Sequence, residues 1–236
     1  MTRAFVDLHV HTSASFDSLA SPRAVVRAAA ARGLTHLAIT DHDAIDGALA
    51  AREVARTEAP QLSVILGQEV KTATGDLICL FLERSIPSGL AATDAIAEAR
   101  SQGALVGIPH PFDRFRGSLL VGDAIGELAR LVDWVEVHNA RVMVGSGNER
   151  AAAFARENGL PGVAVSDAHS VLEIGVAYVA LADAFDGDPA TPAGLLAGLP
   201  AAELVTGRAT VFVRAVTPVA KLVQRARGHG RIASAR

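Results

Sequence analysis

The chain has 236 residues, half of them hydrophobic, with 25 acidic against 22 basic side chains and a net charge of −3. That is enough chain for one large barrel or open sheet with a well-buried core, and short for two domains. The slightly acidic balance offers no basic footprint for long nucleic acid, although a short oligonucleotide in a local cleft stays compatible with it.

The first apolar run, residues 4–11 (AFVDLHVH), reads as a strand. Strand alternation puts His9 and His11 on one face and Val10 on the other. Residues 21–33 read as a helix with Ser21 as N-cap, Pro22 at the first helical position and Gly33 as a left-handed cap. Strand-like runs recur at 35–42 (THLAITDH) and 62–70 (LSVILGQEV). The stretch 71–82 (KTATGDLICLFL) breaks the rhythm, because its Thr-Gly turn predicts a hairpin partner for the third run. Cys79, the single cysteine, lies inside that stretch and is expected to be a buried small hydrophobe. A helical segment at 89–103 ends on Gly103, and strand-like runs follow at 104–111 (ALVGIPHP), 133–139 (DWVEVHN), 161–170 (PGVAVSDAHS) and 176–181 (VAYVAL), with Gly159 a third helix cap. Residues 217–228 (TPVAKLVQRARG) read as a last packing helix.

Strand alternating with helix predicts a parallel sheet, open or closed into a barrel. The expected division is a barrel over residues 1–215, then a C-terminal helix and mobile tail over 216–236. No cationic leader precedes the first histidines, and no apolar run approaches the ~18 residues of a membrane span, so a cytoplasmic protein off the membrane is expected.

Each strand-like run except the last ends in groups able to bind metal. In order these are His9 and His11, Asp41 and His42, Glu69, His110, His138, and Asp167 with His169. The carboxyl ends of parallel strands meet on one face, which is where chemistry gathers in such folds. Any one of these residues has an ordinary explanation as a hydrogen-bonded strand end; six successive ends together predict a metal centre. His36 begins a strand and His229 lies in the tail, so neither joins the set.

The motifs DLHVHTSASFDS, ITDHD, GQEV, IPHPFD and SDAHS, in that order, resemble those of the PHP (polymerase and histidinol phosphatase) family of metal-dependent phosphoesterases, over about residues 6–175. The resemblance implies a distorted (β/α)7 barrel with two or three divalent ions at the strand ends. One ion would be held by His9, His11, Glu69 and Asp167, a second by Glu69 and His110, and a third by Asp17, His42 and His169. A further histidine that many relatives supply for the second ion is missing from GDLICLFL, which leaves His138, Asp76 or water to complete it. Asp41 is expected to orient a ligand histidine, and with Glu69 and Asp167 it makes up the candidate catalytic carboxylates.

Imidazole and carboxylate donors without thiolate suit Zn²⁺, Mn²⁺ or Fe²⁺, and ions sharing a carboxylate produce a bridging hydroxide near neutral pH. The expected reaction is hydrolysis of a small phosphate ester, a phosphomonoester and among these a nucleotide. Arg114, Arg116 and Arg141, in loops after ligand-bearing strands, are the candidate phosphate clamps. A nuclease or phosphodiesterase acting on short oligonucleotides or bisphosphate nucleotides is the alternative. A non-catalytic metal-stabilised module is the alternative of another class. Amidohydrolase barrels also begin with His-x-His, but Glu69 stands here where those sites often carry a carboxylated lysine. The partner expected is a small phosphorylated molecule; oligomeric state is not legible.

Overall fold

The computed structural model describes residues 3–113, 124–142, 146–182, 185–210, 213 and 215–229. Within them the chain runs β1 (Phe5–Val10), α1 (Pro22–Ala31), β2 (His36–Ile39), α2 (Asp46–Glu58), β3 (Ser63–Lys71), β4 (Asp76–Leu80), α3 (Ala92–Ser101), β5 (Leu105–Ile108), α4 (Ala124–Leu128) and β6 (Trp134–Asn139). It continues through α5 (Gly147–Glu157), β7 (Gly162–Val165), β8 (Tyr178–Ala180), α6 (Pro192–Gly198), a 3₁₀ turn (Leu199–Ala201), β9 (Glu203–Val205) and α7 (Val216–Ala226).

The strands form one sheet in the order β7-β6-β5-β4-β3-β2-β1-β8-β9. Steps β1 to β2, β2 to β3, β5 to β6 and β6 to β7 are parallel, whereas β4 is antiparallel to both β3 and β5. The strands β1, β2, β3, β5, β6 and β7 therefore run the same way, and their carboxyl ends share one rim. The sheet curls until its distant parts meet: Val10 bridges Ala168 in parallel, and the His11 N–H donates to the Ala168 carbonyl at 2.9 Å. The result is the nearly closed α/β barrel that the strand and helix rhythm predicts.

Two local readings explain where the barrel departs from a strict repeat. The hairpin predicted at the Thr-Gly turn is β3–β4, closed by the Thr72 N–H on the Gly75 carbonyl at 2.7 Å. The last predicted run, 176–181, contains β8, which pairs antiparallel to β1. No helix separates β7 from β8, and without a crossover helix a returning strand pairs antiparallel. This accounts for its lack of a ligand-bearing end on the common rim.

Local signals behave as the chemistry dictates. The Ser21 hydroxyl caps α1 by accepting the Ala24 N–H, and Gly33, Gly103 and Gly159 all take positive φ beyond the ends of helices. Val6, Leu8, Ile65, Ile78, Trp134 and Val163 fill the barrel interior below the rim. Gly107 on β5 is needed there, because a Cβ at this position would sit 2.2 Å from the Trp134 ring. Outside, α1 and α2 pack on β1 to β3, and α3 to α5 cover β4 to β6. Cys79 is fully buried, and burial pushes its thiol up to about 12. Among the described residues no helix is long and apolar enough to cross a membrane. The tail expected beyond the last helix falls mostly at 230–236, outside the described residues.

Candidate metal centre

The register between β1 and β2 slips between Asp7 and Val10, which inserts one extra residue into β1. Leu8, before the slip, belongs to the barrel interior; Val10, after it, packs outward with α1 and α2. The bulge thus turns His9 and His11 both inward, directly above the apolar plug, a re-aiming that bulges perform near functional sites. Their Nε2 atoms lie 2.9 Å apart.

Glu69, near the end of β3, is the hub. Its Oε2 lies 3.3 Å from His9 Nε2, 3.5 Å from His11 Nε2 and 3.3 Å from His42 Nδ1, and its Oε1 lies 3.3 Å from His110 Nε2. Asp167 Oδ1 stands 3.5 Å from His11 Nε2 and 3.3 Å from His169 Nδ1. Asp17 Oδ2 lies 3.4 Å from His42 Nε2 and 3.1 Å from His169 Nε2. Donor separations of this size match the edges of about 3.0 to 3.5 Å that ligands show around an ion at bond lengths near 2.1 Å. Among the described residues two groups have the right spacing: His9, His11 and Asp167, and His11, Asp17, His42 and His169. Buried Glu69 Oε1 makes no hydrogen bond of good geometry among the described residues, as expected of an oxygen shaped for a cation. The donor set therefore fits divalent metal, which would be held by these imidazoles and carboxylates.

Protonation follows from who faces whom. A carboxylate only accepts, so the 2.6 Å contact between His9 Nδ1 and Glu136 Oε1 places the proton on Nδ1 and turns Nε2 to the cluster. His169 Nδ1 likewise donates to the Asp167 carbonyl at 2.8 Å. Burial works against charge on His9, but the Glu136 and Glu69 carboxylates outweigh it and raise the ring to about 10. Burial, reinforced by His169, His42 and His9, holds His11 well below its usual range and therefore neutral. Glu69 is held well below the carboxylate range despite burial, because His42 and His9 surround it. Asp17 is kept ionised against burial by His169 and His42.

A second layer of polar groups lies behind the donors. Glu136 Oε2 accepts the His110 N–H and the Asn139 side-chain N–H, both at 2.9 Å, and Asn139 also donates to Asp167 Oδ2 at 3.0 Å. His110 and Asp167 sit at φ of +27° and +51°, where a non-glycine residue costs about 1–3 kcal/mol. Glu136 and Asn139 thus brace the two strained candidate ligands. Asp7 lies beneath, accepting the Ser166 and Gly175 N–H groups, and burial raises its carboxyl to about 6.

The structure brings His9, His11, Asp17, His42, Glu69, His110, Asp167 and His169 together; other predicted residues fall elsewhere. His138 is not in the cluster: its Nε2 donates to the Gly207 carbonyl at 2.8 Å, and Asn148 lies 3.4 Å from its Nδ1. A slip in β6 between Glu136 and His138 puts Asn139, not His138, on the Glu136 side. Asp76 lies 3.5 Å from Lys71 Nζ, and the residue of β4 opposite Glu69 is the apolar Ile78, so β4 offers the second position no imidazole. Asp41 meets Thr12: its carboxylate accepts the Thr12 N–H at 2.5 Å and the Thr12 hydroxyl at 2.7 Å, and burial raises it to about 6. Arg141 is 5 % exposed, its guanidinium donating to Glu173 at 2.9 Å and to the Thr217 hydroxyl at 2.7 Å, which makes it a brace between segments and not an open phosphate clamp. Arg114 and Arg116 lie outside the described residues. Sequence reasoning passed over Glu136, although a charged residue inside the apolar run DWVEV is itself a signal that it must be paired.

The Asp41–Thr12 contact fixes where the loop after β1 begins, and it packs on the first turn of α2. A Cβ at Gly47 would lie 2.0 Å from Asp41 Oδ2 and 2.2 Å from Thr12 Oγ1. Gly47→Ala is therefore expected to destabilise the fold by about 1–3 kcal/mol and to weaken metal retention. Thermal unfolding followed with and without added Mn²⁺ checks this; an unchanged melting temperature in both conditions would refute it.

A family model for the PHP domain matches residues 7–126, more than half of the chain, and a PHP-associated model matches residues 145–204. The chain belongs to the PHP domain family. It is 35% identical over 144 residues to the uncharacterized protein MJ1587 of Methanocaldococcus jannaschii, a match covering 57% of this chain and 81% of that protein. It is similar in structure to a two-domain Bacteroides vulgatus protein containing a predicted PHP-like metal-dependent phosphoesterase, with TM-score 0.71 and 20% identity over 87% of this chain and 65% of that one. A second neighbour is the lesion-specific endonuclease PfuEndoQ of Pyrococcus furiosus, with TM-score 0.62 and 16% identity over 86% of this chain and 58% of that one. The chain spans less than two thirds of either neighbour, and likeness at such identity is one of fold. The family match and the shared fold thus agree with each other.

Proposed function

We propose that the protein hydrolyses a small phosphomonoester, with nucleotides among the candidates, at the strand-end metal centre. The observation that carries this reading is Glu69, whose two carboxylate oxygens face four imidazoles and which offers a bridge between neighbouring cations. Divalent ions, when bound, supply a water of lowered pKa and neutralise charge on phosphate oxygens. The chain's own contribution is placement: Glu136 fixes the His9 tautomer, the Asp167 carbonyl fixes that of His169, and burial keeps His11 neutral with a free electron pair for a ligand bond. His42, Asp17 and His169 are the slightly more exposed side of the cluster, against fully buried His9 and His11.

The test is elemental analysis of protein purified without chelator, followed by Mn²⁺-supplemented turnover of p-nitrophenyl phosphate and bis-p-nitrophenyl phosphate. Two or three equivalents of metal and a monoester rate above the diester rate are expected. A diester preference would favour the nuclease or phosphodiesterase reading. Metal-replete protein inert on both esters would favour a non-catalytic module.

A further inference from the structure

Helix α7 is the last described element before the tail, and its sequence, VTPVAKLVQRA, is unusual in how it docks. Pro218 sits in the first turn, where its missing N–H costs nothing. The residues it buries are Thr217, Ala220 and Gln224, while Val219 and Leu222 are 56 % and 71 % exposed. The helix is thus held on the barrel by polar contacts, not by an apolar stripe.

Those contacts have one destination. Gln224 is 1 % exposed, and the two hydrogens of its side-chain NH2 are shared among the carbonyls of Ser13 at 2.8 Å, Ser15 at 3.0 Å and Ser18 at 2.9 Å, residues on both sides of Asp17. Lys221 Nζ lies 5.4 Å from the centre of the Phe16 ring, which in turn lies 4.8 Å from the His42 ring. Thr217 accepts from Arg141, Arg141 pairs with Glu173, and Glu173 Oε2 accepts the His169 N–H at 3.1 Å. Positions 217, 221 and 224 are spaced i, i+4 and i+7, so they lie on one face of the helix. From that one face, α7 reaches the supports of Asp17, His42 and His169.

Resting on the metal-dependent reading above, we propose that α7 is a clasp for the outer ion position formed by Asp17, His42 and His169, with Gln224 and Thr217 as its positioning residues. A loop fixed by three backbone carbonyls presents Asp17 at one place. Released, the loop would have to be ordered again each time an ion bound, and affinity at that position would fall while the inner group kept its own supports.

The experiment titrates metal-free full-length protein with Mn²⁺, counting bound ions by elemental analysis and following them by electron paramagnetic resonance. Asp17→Asn and Gln224→Ala are compared with wild type. Both are expected to lose one equivalent, or to bind it at least about tenfold more weakly, with the remaining ions unaffected. Thr217→Val should show the same selective loss, and Thr217→Ser, which keeps the hydroxyl, should restore it. If Asp17→Asn loses an ion and Gln224→Ala binds as wild type does, the clasp is refuted. If Asp17→Asn itself binds as wild type does, the outer position holds no ion, and the assignment on which the clasp rests fails. Should Gln224→Ala not fold, Thr217→Val decides, and wild-type binding by it overturns the proposal. Weakening of every ion equally would mark a general loss of stability and count against it too.

Discussion

Glu69→Gln is expected to lower kcat/KM for the preferred phosphate ester by roughly 1,000-fold, about 4 kcal/mol of transition-state stabilisation, while the chain still folds. The expectation rests on geometry that no other carboxylate among the described residues shares. Glu69 is 2 % exposed, and both of its oxygens are turned to imidazole nitrogens at the end of β1 and just beyond it, after β2 and after β5. Glutamine has the same shape but presents one neutral oxygen and a donor N–H, so it cannot bridge two cations and would point a hydrogen at one of them. Bound metal should fall by at least one equivalent. The check is steady-state kinetics with elemental analysis, and thermal unfolding as the control for folding. Activity within tenfold of wild type, with full metal content, would remove Glu69 from the centre of the mechanism.

Glu136→Ala should be the most damaging change to stability among residues that touch no substrate. The carboxylate is fully buried and accepts from His9 Nδ1, the His110 N–H and Asn139. Truncation leaves these three buried donors without an acceptor. At about 1–3 kcal/mol for each buried donor left unsatisfied, the cost is about 3–5 kcal/mol. For a chain of this size that corresponds to a fall in melting temperature of roughly 10 °C. Because Glu136 also orients a candidate ligand, metal affinity should fall about 10- to 100-fold. Differential scanning calorimetry of metal-loaded protein and a Mn²⁺ titration test the two effects separately. A variant that melts normally and binds metal normally would show that His9 is positioned by its strand alone.

The contrast between Glu136 and His138 shows what was legible. Both lie in VEVHN, and the strand-end argument that singles out His9, Glu69 and Asp167 also singles out His138. That argument depends on alternation along one strand, and it fails where one extra residue enters β6, because a slip of one position exchanges the faces. The bulge in β1 acts the other way, bringing His9 onto the same side as Leu8 and His11. Arg141 is a similar case: a loop arginine next to a ligand strand reads as a phosphate clamp until the position of Glu173 and Thr217 is known.

The alternation of strand and helix, the parallel rim and the donor types that collect on it can all be read along the chain. These follow from local apolar periodicity, helix caps and the rule that parallel strands end together. The layer behind the donors emerges only on folding: Glu136 and Asn139 behind His110 and Asp167, Asp41 on Thr12, and α7 on the loop that carries Asp17. Gln224 and Ser13 stand 211 positions apart, and bulges are set by pairing with a neighbouring strand. Such contacts carry no local period, so they become visible only when the barrel has closed and brought them within hydrogen-bond reach.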